Sequence, residues 1–249
     1  MSKEYNTTQL SPNKVFERHV YHRDQFAHYL RWAHVLKVVP SKVRILDVGC
    51  GSGNLLEVLY HNRRVPELYV GVDVRTQTIK NNTVKFGHLT WVKFTNLDFC
   101  KYMSGMEFYK LKNSHFNFVT CFEVIEHLGK QNGDQFLFNI SSLMRPETVL
   151  LISTPCYNGE DVAQNHVING EVGEYTFQEM RYELEKFFKI EKVWGTFASQ
   201  KDYLERLTPE QKKIWDKLNE YYDPDLVSVL LAPLFPERAR NCLWQCRIR

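Results

Sequence analysis

Residues 43–53, Val-Arg-Ile-Leu-Asp-Val-Gly-Cys-Gly-Ser-Gly, decide the fold of this chain. An apolar run (Val43, Ile45, Leu46, Val48) carries one acid, Asp47, and breaks into glycines at alternate positions, Gly49, Gly51 and Gly53. Asn54 to Tyr60 follows, with Leu55, Leu56, Val58 and Leu59 at helical spacing. The pattern predicts a buried strand, a tight turn and a helix, the opening of a βαβ unit. Glycines let the backbone of the turn approach a ligand, and a helix N-terminus favours polar or anionic groups. The turn has neither the G-x-G-x-x-G spacing of the dinucleotide fold nor the G-x-x-x-x-G-K-[ST] of the phosphate loop. Its distinguishing feature is the acid two residues before the first glycine.

Strand and helix patterns then alternate to about residue 198, which predicts an α/β fold with a doubly wound parallel sheet. Leu68–Val74 reads as a second buried strand carrying Asp73, 20 residues past Gly53, where an acid can accept both hydroxyls of a ribose. Gln77–Phe86 reads as a helix, and Thr90–Asp98 alternates like a third strand with Asp98 at its end. After a helix over Lys101–Lys112, Phe116–Phe122 makes a fourth strand, followed at once by Glu123, Glu126 and His127. If the chain enters a helical turn at Glu123, these three share one face. Two carboxylates and an imidazole together suit a general base or a divalent cation with mixed oxygen and nitrogen ligands. A helix (Asp134–Met144), a fifth strand (Thr148–Ser153) and a polar loop with Asp161, Asn165 and His166 come next. Thr176–Glu179 is a capping box opening a helix, and Phe188–Ala198 reads as a sixth strand.

The two ends carry additions. Lys14–Val39 is one long amphipathic pattern, with Phe16, Val20, Phe26, Leu30, Val35 and Val38 inward and Arg18, Arg23, Arg31 and Lys37 outward. His19 and His22, one turn apart in it, can hold a metal or a phosphate, although histidines on a polar helix face usually meet only solvent; His28 and His34 lie further along. A second capping box, Thr208–Gln211, starts a helix, and Asn241–Ile248 reads as a last strand. The expected division is a helical extension over 1–40, a core over 41–198, a helical cap over 199–240 and a closing strand over 241–249.

Composition sets wider bounds. A chain of 249 residues can bury a sizeable core. Basic residues exceed acidic ones by only 32 − 29 = 3, which does not specify a nucleic-acid partner. Residues 1–100 hold 14 basic and 8 acidic residues, residues 101–195 hold 9 and 13, so the half with the glycine turn is the more basic. The cysteines at 50, 100, 121, 156, 242 and 246 form no C-x-x-C pair, and three lie in or beside apolar runs, which predicts buried thiols in a reducing compartment. Without a leader pattern or an apolar run near 18 residues, the expectation is a soluble cytoplasmic protein with no membrane contact.

The D-x-G-x-G-x-G pattern at 47–53 closely resembles motif I of the class I S-adenosylmethionine-dependent methyltransferases, and the later stretches follow that family in order. The resemblance implies a Rossmann-like seven-stranded sheet, its last strand antiparallel beside the sixth, with an N-terminal helix and a helical insert before that last strand. It implies S-adenosyl-L-methionine as cofactor, held by Asp47, Gly49, Cys50, Gly51 and Gly53, with Asp73 on the ribose, Asp98 on the adenine, and Val74, Phe99 and Phe122 beside them. Glu123-Val-Ile-Glu-His-Leu128 is similar to the ubiquinone-pathway O-methyltransferases and the small-RNA 3′-end 2′-O-methyltransferases, in which this segment contributes metal ligands. That implies catalytic roles for His127, Glu126 and Glu123, and Mg²⁺ or Mn²⁺ held by Glu123, Glu126, His127 and His166. Asn117 departs from the Asp that the family often has. The RNA subgroup also carries a histidine in a D-H-x-F-E-W-T-like run, whereas 171–176 has none and His166 lies ten residues before Thr176.

The leading expectation is methyl transfer to an oxygen or nitrogen of an acceptor the sequence does not name, a small molecule or nucleic acid. RNA 3′-end methylation, aminopropyl transfer and a non-catalytic binding or inhibitory module are the alternatives. Pro155-Cys156 is no cytosine-C5 nucleophile, since it comes too late and has no E-N-V partner, and the D-P-P-Y motif is absent. The ends are similar to those of small bacteriophage methyltransferases, which would place the protein in a host cytoplasm.

Overall fold

The computed structural model describes residues 23–249 apart from 158, 160, 161, 163, 198–206 and 223. His19, His22, Asp161 and the first part of the predicted N-terminal helix lie outside the described residues.

Strands β1 (Arg44–Val48) and β2 (Leu68–Asp73) are buried along almost their whole length, as central strands covered on both faces must be. In chain order β3 (Val92–Asn96), β4 (Phe118–Phe122), β5 (Val149–Pro155), a short hairpin of β6 (Val167–Ile168) and β7 (Glu171–Val172), β8 (Phe188–Phe197) and β9 (Asn241–Ile248) follow. Seven of these form one sheet in the order β3-β2-β1-β4-β5-β9-β8. Strands β1 to β5 pair in parallel, while β9 is antiparallel to both β5 and β8. This is the seven-stranded α/β sheet that the methyltransferase resemblance implies.

The helices are α1 (Arg23–Val38), α2 (Asn54–His61), α3 (Thr76–Phe86), α4 (Gly105–Lys112), α5 (Gly133–Leu143), α6 (Phe177–Glu185), α7 (Pro209–Asn219) and α8 (Pro224–Leu231). Neighbouring side chains on a strand point to opposite faces. Phe118 therefore joins Val35, Leu56, Leu59 and Tyr69 in one apolar layer, while Val119 joins Phe136, Ile140, Met180 and Trp244 in the other. Both capping boxes form: Thr176 accepts from Glu179 N and Thr208 from Gln211 N, each cap worth about 1 kcal/mol. Trp215 of α7, Val227 and Leu231 of α8, and Ala232 belong to the second layer. The insert thus shares the main core.

Three expectations change. Arg31, placed outward by the amphipathic pattern, is 1% exposed. The third strand ends at Asn96, so Asp98 lies past it in a turn, where its Oδ1 accepts from Cys100 N at 2.9 Å. The polar loop contains the β6–β7 hairpin, which brings Gly173 against Glu126; a Cβ there would lie 2.2 Å from Glu126 O, so only glycine permits the approach. Among the described residues no helix is long and apolar enough to cross a membrane.

Candidate active site

The turn after β1 is fixed by its own backbone. Gly49 N and Cys50 N both donate to Val72 O, at 2.8 and 3.0 Å, and Gly49, Gly51 and Gly53 all have positive φ. At Gly49 a Cβ would stand 2.2 Å from Val124 Cγ2, so this residue needs glycine for space as well as for conformation. The buried side chain of Asn82 on α3 holds the turn from outside, Nδ2 donating to Gly51 O at 2.7 Å. Asp47 is buried below it, accepting from Tyr69 OH and, at 2.7 Å, from Thr120 Oγ1. Burial pushes its carboxyl up to about 6, against the pull of those two hydrogen bonds.

A cavity of about 770 Å³ opens above the turn, within the roughly 300–1,000 Å³ of small-ligand sites. Asp47, Gly49, Cys50, Gly51, Phe122 and Glu123 line it, with Ser52, Asn54, Arg75, Asn81 and Asn82. Gly53, Val74, Asp98 and Phe99 are not on its wall. Asp73 reaches it through two lining residues, accepting hydrogen bonds from Gly51 N and from Arg75. Burial opposes the Asp73 charge, but the Arg75 and Gly51 donors outweigh it and hold the carboxyl below its usual range.

Helix α1 forms the far wall with His28 and Trp32, whose rings stack with centroids 5.3 Å apart. Between them Arg31 turns inward, donating to His28 Nδ1 at 2.6 Å and pairing with Glu123 Oε1 at 2.7 Å. Glu123 also accepts from Ser153 Oγ at 2.7 Å and Asn241 Nδ2 at 2.8 Å. Burial works against its charge, yet Arg31 and these donors keep it ionised below the usual carboxylate range. Three separate segments, α1, β5 and β9, therefore converge on one carboxylate.

The expected shared face of Glu123, Glu126 and His127 does not form. Glu123 has φ +56°, a left-handed conformation that ends β4 and breaks helical geometry, and a 3₁₀ turn begins only at Ile125. Glu123 thus faces the cavity over the glycine turn, while Glu126 and His127 face the β6–β7 hairpin and meet His166. One ligand atom from each of Glu126, His127 and His166 lies within 4.8 Å of the others, a set that does not include Glu123. The His127 and His166 rings are 4.7 Å apart at 69°, and His127 Nε2 is 4.0 Å from Glu126 Oε1.

Glu126 is fully buried; its Oε2 accepts from Thr154 Oγ1 at 3.1 Å, but its Oε1 has no hydrogen-bond partner. Burial, then the nearby Glu123, push its carboxyl well above the usual range, while burial lowers His127. Both imidazoles are held at Nδ1: His127 donates to Asn165 O at 3.1 Å and His166 to Glu174 Oε1 at 2.6 Å. Glu174 in turn pairs with Arg240 Nη1 at 2.6 Å, and Arg240 donates to Cys156 O at 2.8 Å. A buried carboxylate oxygen without a partner, beside two imidazoles fixed at Nδ1, fits a divalent cation with mixed oxygen and nitrogen donors.

Sequence reasoning missed Arg31, His28, Trp32, Asn82, Glu174 and Arg240. Arg31 and Glu174 left a signal only in hindsight, being single charges beside aromatic or apolar neighbours. Asn82 left none.

A seven-stranded sheet of this order with a glycine turn at the end of β1 defines the class I methyltransferase fold. A family model described as a methyltransferase domain matches residues 19–203, and the chain belongs to that family. It is similar to the ubiquinone biosynthesis O-methyltransferase of Rickettsia canadensis (strain McKiel), 31% identical over 118 residues, or 46% of this chain and 43% of that protein. It is also similar to the small RNA 2′-O-methyltransferase of Arabidopsis thaliana, 27% identical over 130 residues, 50% of this chain and 13% of that protein. Among solved structures, the methyltransferase domain of bacterial CtHen1-C superposes with a TM-score of 0.57 at 17% identity, covering 91% of this chain and 98% of that one. The match spans less than half the length of the first of these relatives.

Proposed function

We propose that the chain transfers the methyl group of S-adenosylmethionine to an oxygen or nitrogen of its acceptor, with Glu126, His127 and His166 beside the reacting atoms. The observation that carries this reading is position: the cavity over the glycine turn and the Glu126–His127–His166 cluster lie at the carboxyl ends of adjoining strands, β1 and β4. Ligands of open α/β sheets bind at the carboxyl ends of the strands. Asp73 takes the ribose; Asp98, one turn beyond β3 and off the cavity wall, takes the adenine amino group with Val74 and Phe99 near it, while Phe122 lines the cavity at the end of β4. Asp47 braces the turn from below.

The sulfonium is already activated, so the protein chiefly aligns the acceptor with the methyl carbon and keeps water out. A lone pair on the acceptor forms the new bond to that carbon, and the carbon–sulfur bond breaks with its electrons left on sulfur as a thioether. The acceptor proton passes to the cluster, where His127 is kept neutral by burial. Glu123 acts at a distance from the reacting atoms, anchoring α1 over the cofactor through Arg31.

A second, more specific reading is favoured by His166. It reaches Glu126 and His127 although no histidine occupies the later run expected of the RNA subgroup. With Mg²⁺ or Mn²⁺ on Glu126, His127 and His166, the cation would polarise a hydroxyl and orient it, as an RNA 3′-terminal 2′-hydroxyl requires. The test is labelled-methyl transfer to RNA with free or periodate-oxidised 3′ ends and to a metabolite fraction, with Mn²⁺ and with chelator. Transfer to free-ended RNA only with Mn²⁺ supports the second reading; chelator-insensitive transfer to metabolites removes it. Binding of S-adenosylhomocysteine without any transfer, unchanged by Glu126→Ala/His127→Ala, would leave a binding module.

A further inference from the structure

Asp73 is more completely bonded than a waiting ribose acceptor needs to be. A carboxylate offers about four lone-pair positions. Here Oδ1 accepts from Arg75 N at 2.9 Å and Arg75 Nε at 3.1 Å, and Oδ2 from Gly51 N at 3.1 Å and Arg75 Nη2 at 3.2 Å. Two of these donors are backbone groups fixed by the turns that carry them. The other two lie on one edge of a guanidinium, and the Arg75 side chain is 66% exposed while Asp73 is 6% exposed. That edge presents two parallel N–H groups to a carboxylate. The vicinal hydroxyls of a ribose present two O–H groups to the same pair of oxygens.

We infer that Arg75 is an internal competitor of the cofactor's ribose for Asp73, displaced as the cofactor binds and reseated as the product leaves. The inference rests on the reading of Asp73 as the ribose acceptor. Its side-chain bonds, at 3.1 and 3.2 Å, exceed the roughly 2.7–2.9 Å of strong charged pairs, and the guanidinium is open to water that replaces its bonds, so it yields readily. The two backbone donors stay in place and hold the carboxylate against Gly51, which lines the cavity. Cofactor and demethylated product carry the same ribose, so Arg75 weakens both alike. Its effect is to ease product release, and it contributes nothing to telling the two apart.

The experiment is calorimetric titration of S-adenosylhomocysteine into the wild type, Arg75→Ala, Asp73→Asn and the double variant, with thermal melts to show that each is folded. Arg75→Ala is expected to bind about two- to fivefold more tightly, the worth of an ion pair whose cation stays in water. That gain disappears in the Asp73→Asn background and narrows in high salt, where the wild-type pair is screened. A role in supporting the fold cannot produce tighter binding. Unchanged or weaker binding by Arg75→Ala, with Asp73→Asn weakened tenfold or more, overturns the competitor. Wild-type binding by Asp73→Asn overturns the ribose reading itself, and the competitor with it.

Discussion

The glycine-turn end of the sheet is held largely by backbone groups and bonds between neighbouring strands, whereas the Glu123–His127 segment is assembled from side chains that meet across longer stretches of chain. Around the glycine turn, Gly51 and Asp73 are 22 residues apart, as are Tyr69 and Asp47. Around Glu123, Arg31 comes from 92 residues away and Asn241 from 118, and Arg240 reaches Cys156 over 84. The fold of the first end depends on chain geometry more than on side-chain charge, while the charge of Asp73 is kept for the ligand. The second depends on charge and partner geometry, held together by the N-terminal helix and the last strand. A backbone change should therefore damage the first most, and a lost charge the second.

The largest effect is expected from Gly49→Ala. The added Cβ meets Val124 Cγ2 at 2.2 Å, and the residue sits at φ +73°. Overpacking and left-handed strain together cost about 3–5 kcal/mol. Urea denaturation reads the stability, and calorimetry the loss of S-adenosylhomocysteine binding. A loss under about 1 kcal/mol would break the claim that the backbone governs this end.

At the other end the counterpart is Arg31→Ala. Removing one member of a buried ion pair typically costs about 3–5 kcal/mol, and the 27% exposure of Glu123 puts this one near 3. Pairing Arg31→Met with Glu123→Gln removes both charges and should restore most of the stability. If the single and double variants are equally destabilised, shape and not charge holds α1 in place.

Asp47→Asn tests the tolerance of charge change at the glycine turn. Its folded carboxyl titrates at about 6 against an ordinary value of 3.8. The folded state therefore holds the proton more tightly than the unfolded chain, and wild-type stability falls as pH rises from about 4 through 6. The shift corresponds to about 2–3 kcal/mol. Asparagine keeps the volume, can accept from Tyr69 and donate to Thr120, and does not titrate. Urea unfolding at several pH values should show Asp47→Asn gaining on the wild type by that amount between pH 4 and 6. Parallel curves would mean that Asp47 titrates in the folded protein as it does in the unfolded chain, and that burial does not raise its carboxyl.

What was legible in the sequence follows the same division. The glycine turn and the strands beside it could be read because their contacts are local and their residue types are dictated by backbone geometry. Glu123 was assigned to the wrong face because a left-handed φ at a glutamate leaves no mark in the sequence. Arg31 was placed in solvent because an amphipathic pattern counts every arginine as polar, and its partner lies on another strand. His166 stood out only as a histidine in a polar loop; the β6–β7 hairpin that carries it to Glu126 is four strand residues long and has no pattern to detect. Glu174 was not singled out at all. Its function depends on Arg240, which arrives from the far end of the chain.

Glu174→Gln is expected to have the smallest effect on the fold and the most selective one on the site. The substitution keeps the volume and one acceptor for His166 Nδ1–H, but removes the charge that faces both His166 and Arg240. Hydrogen bonds of this kind behind a ligating histidine are worth about 10–100-fold in metal affinity. Calorimetric titration of Mn²⁺ should show a loss in that range, while S-adenosylhomocysteine binding, which depends on the other end, stays at its wild-type value. A wild type that binds no Mn²⁺ removes the metal reading altogether. A wild type that binds it, with Glu174→Gln binding equally well, reduces Glu174 to a packing partner of Arg240. Loss of both ligands together would show that the two ends are not independent, and that Arg240 and α1 act through one network.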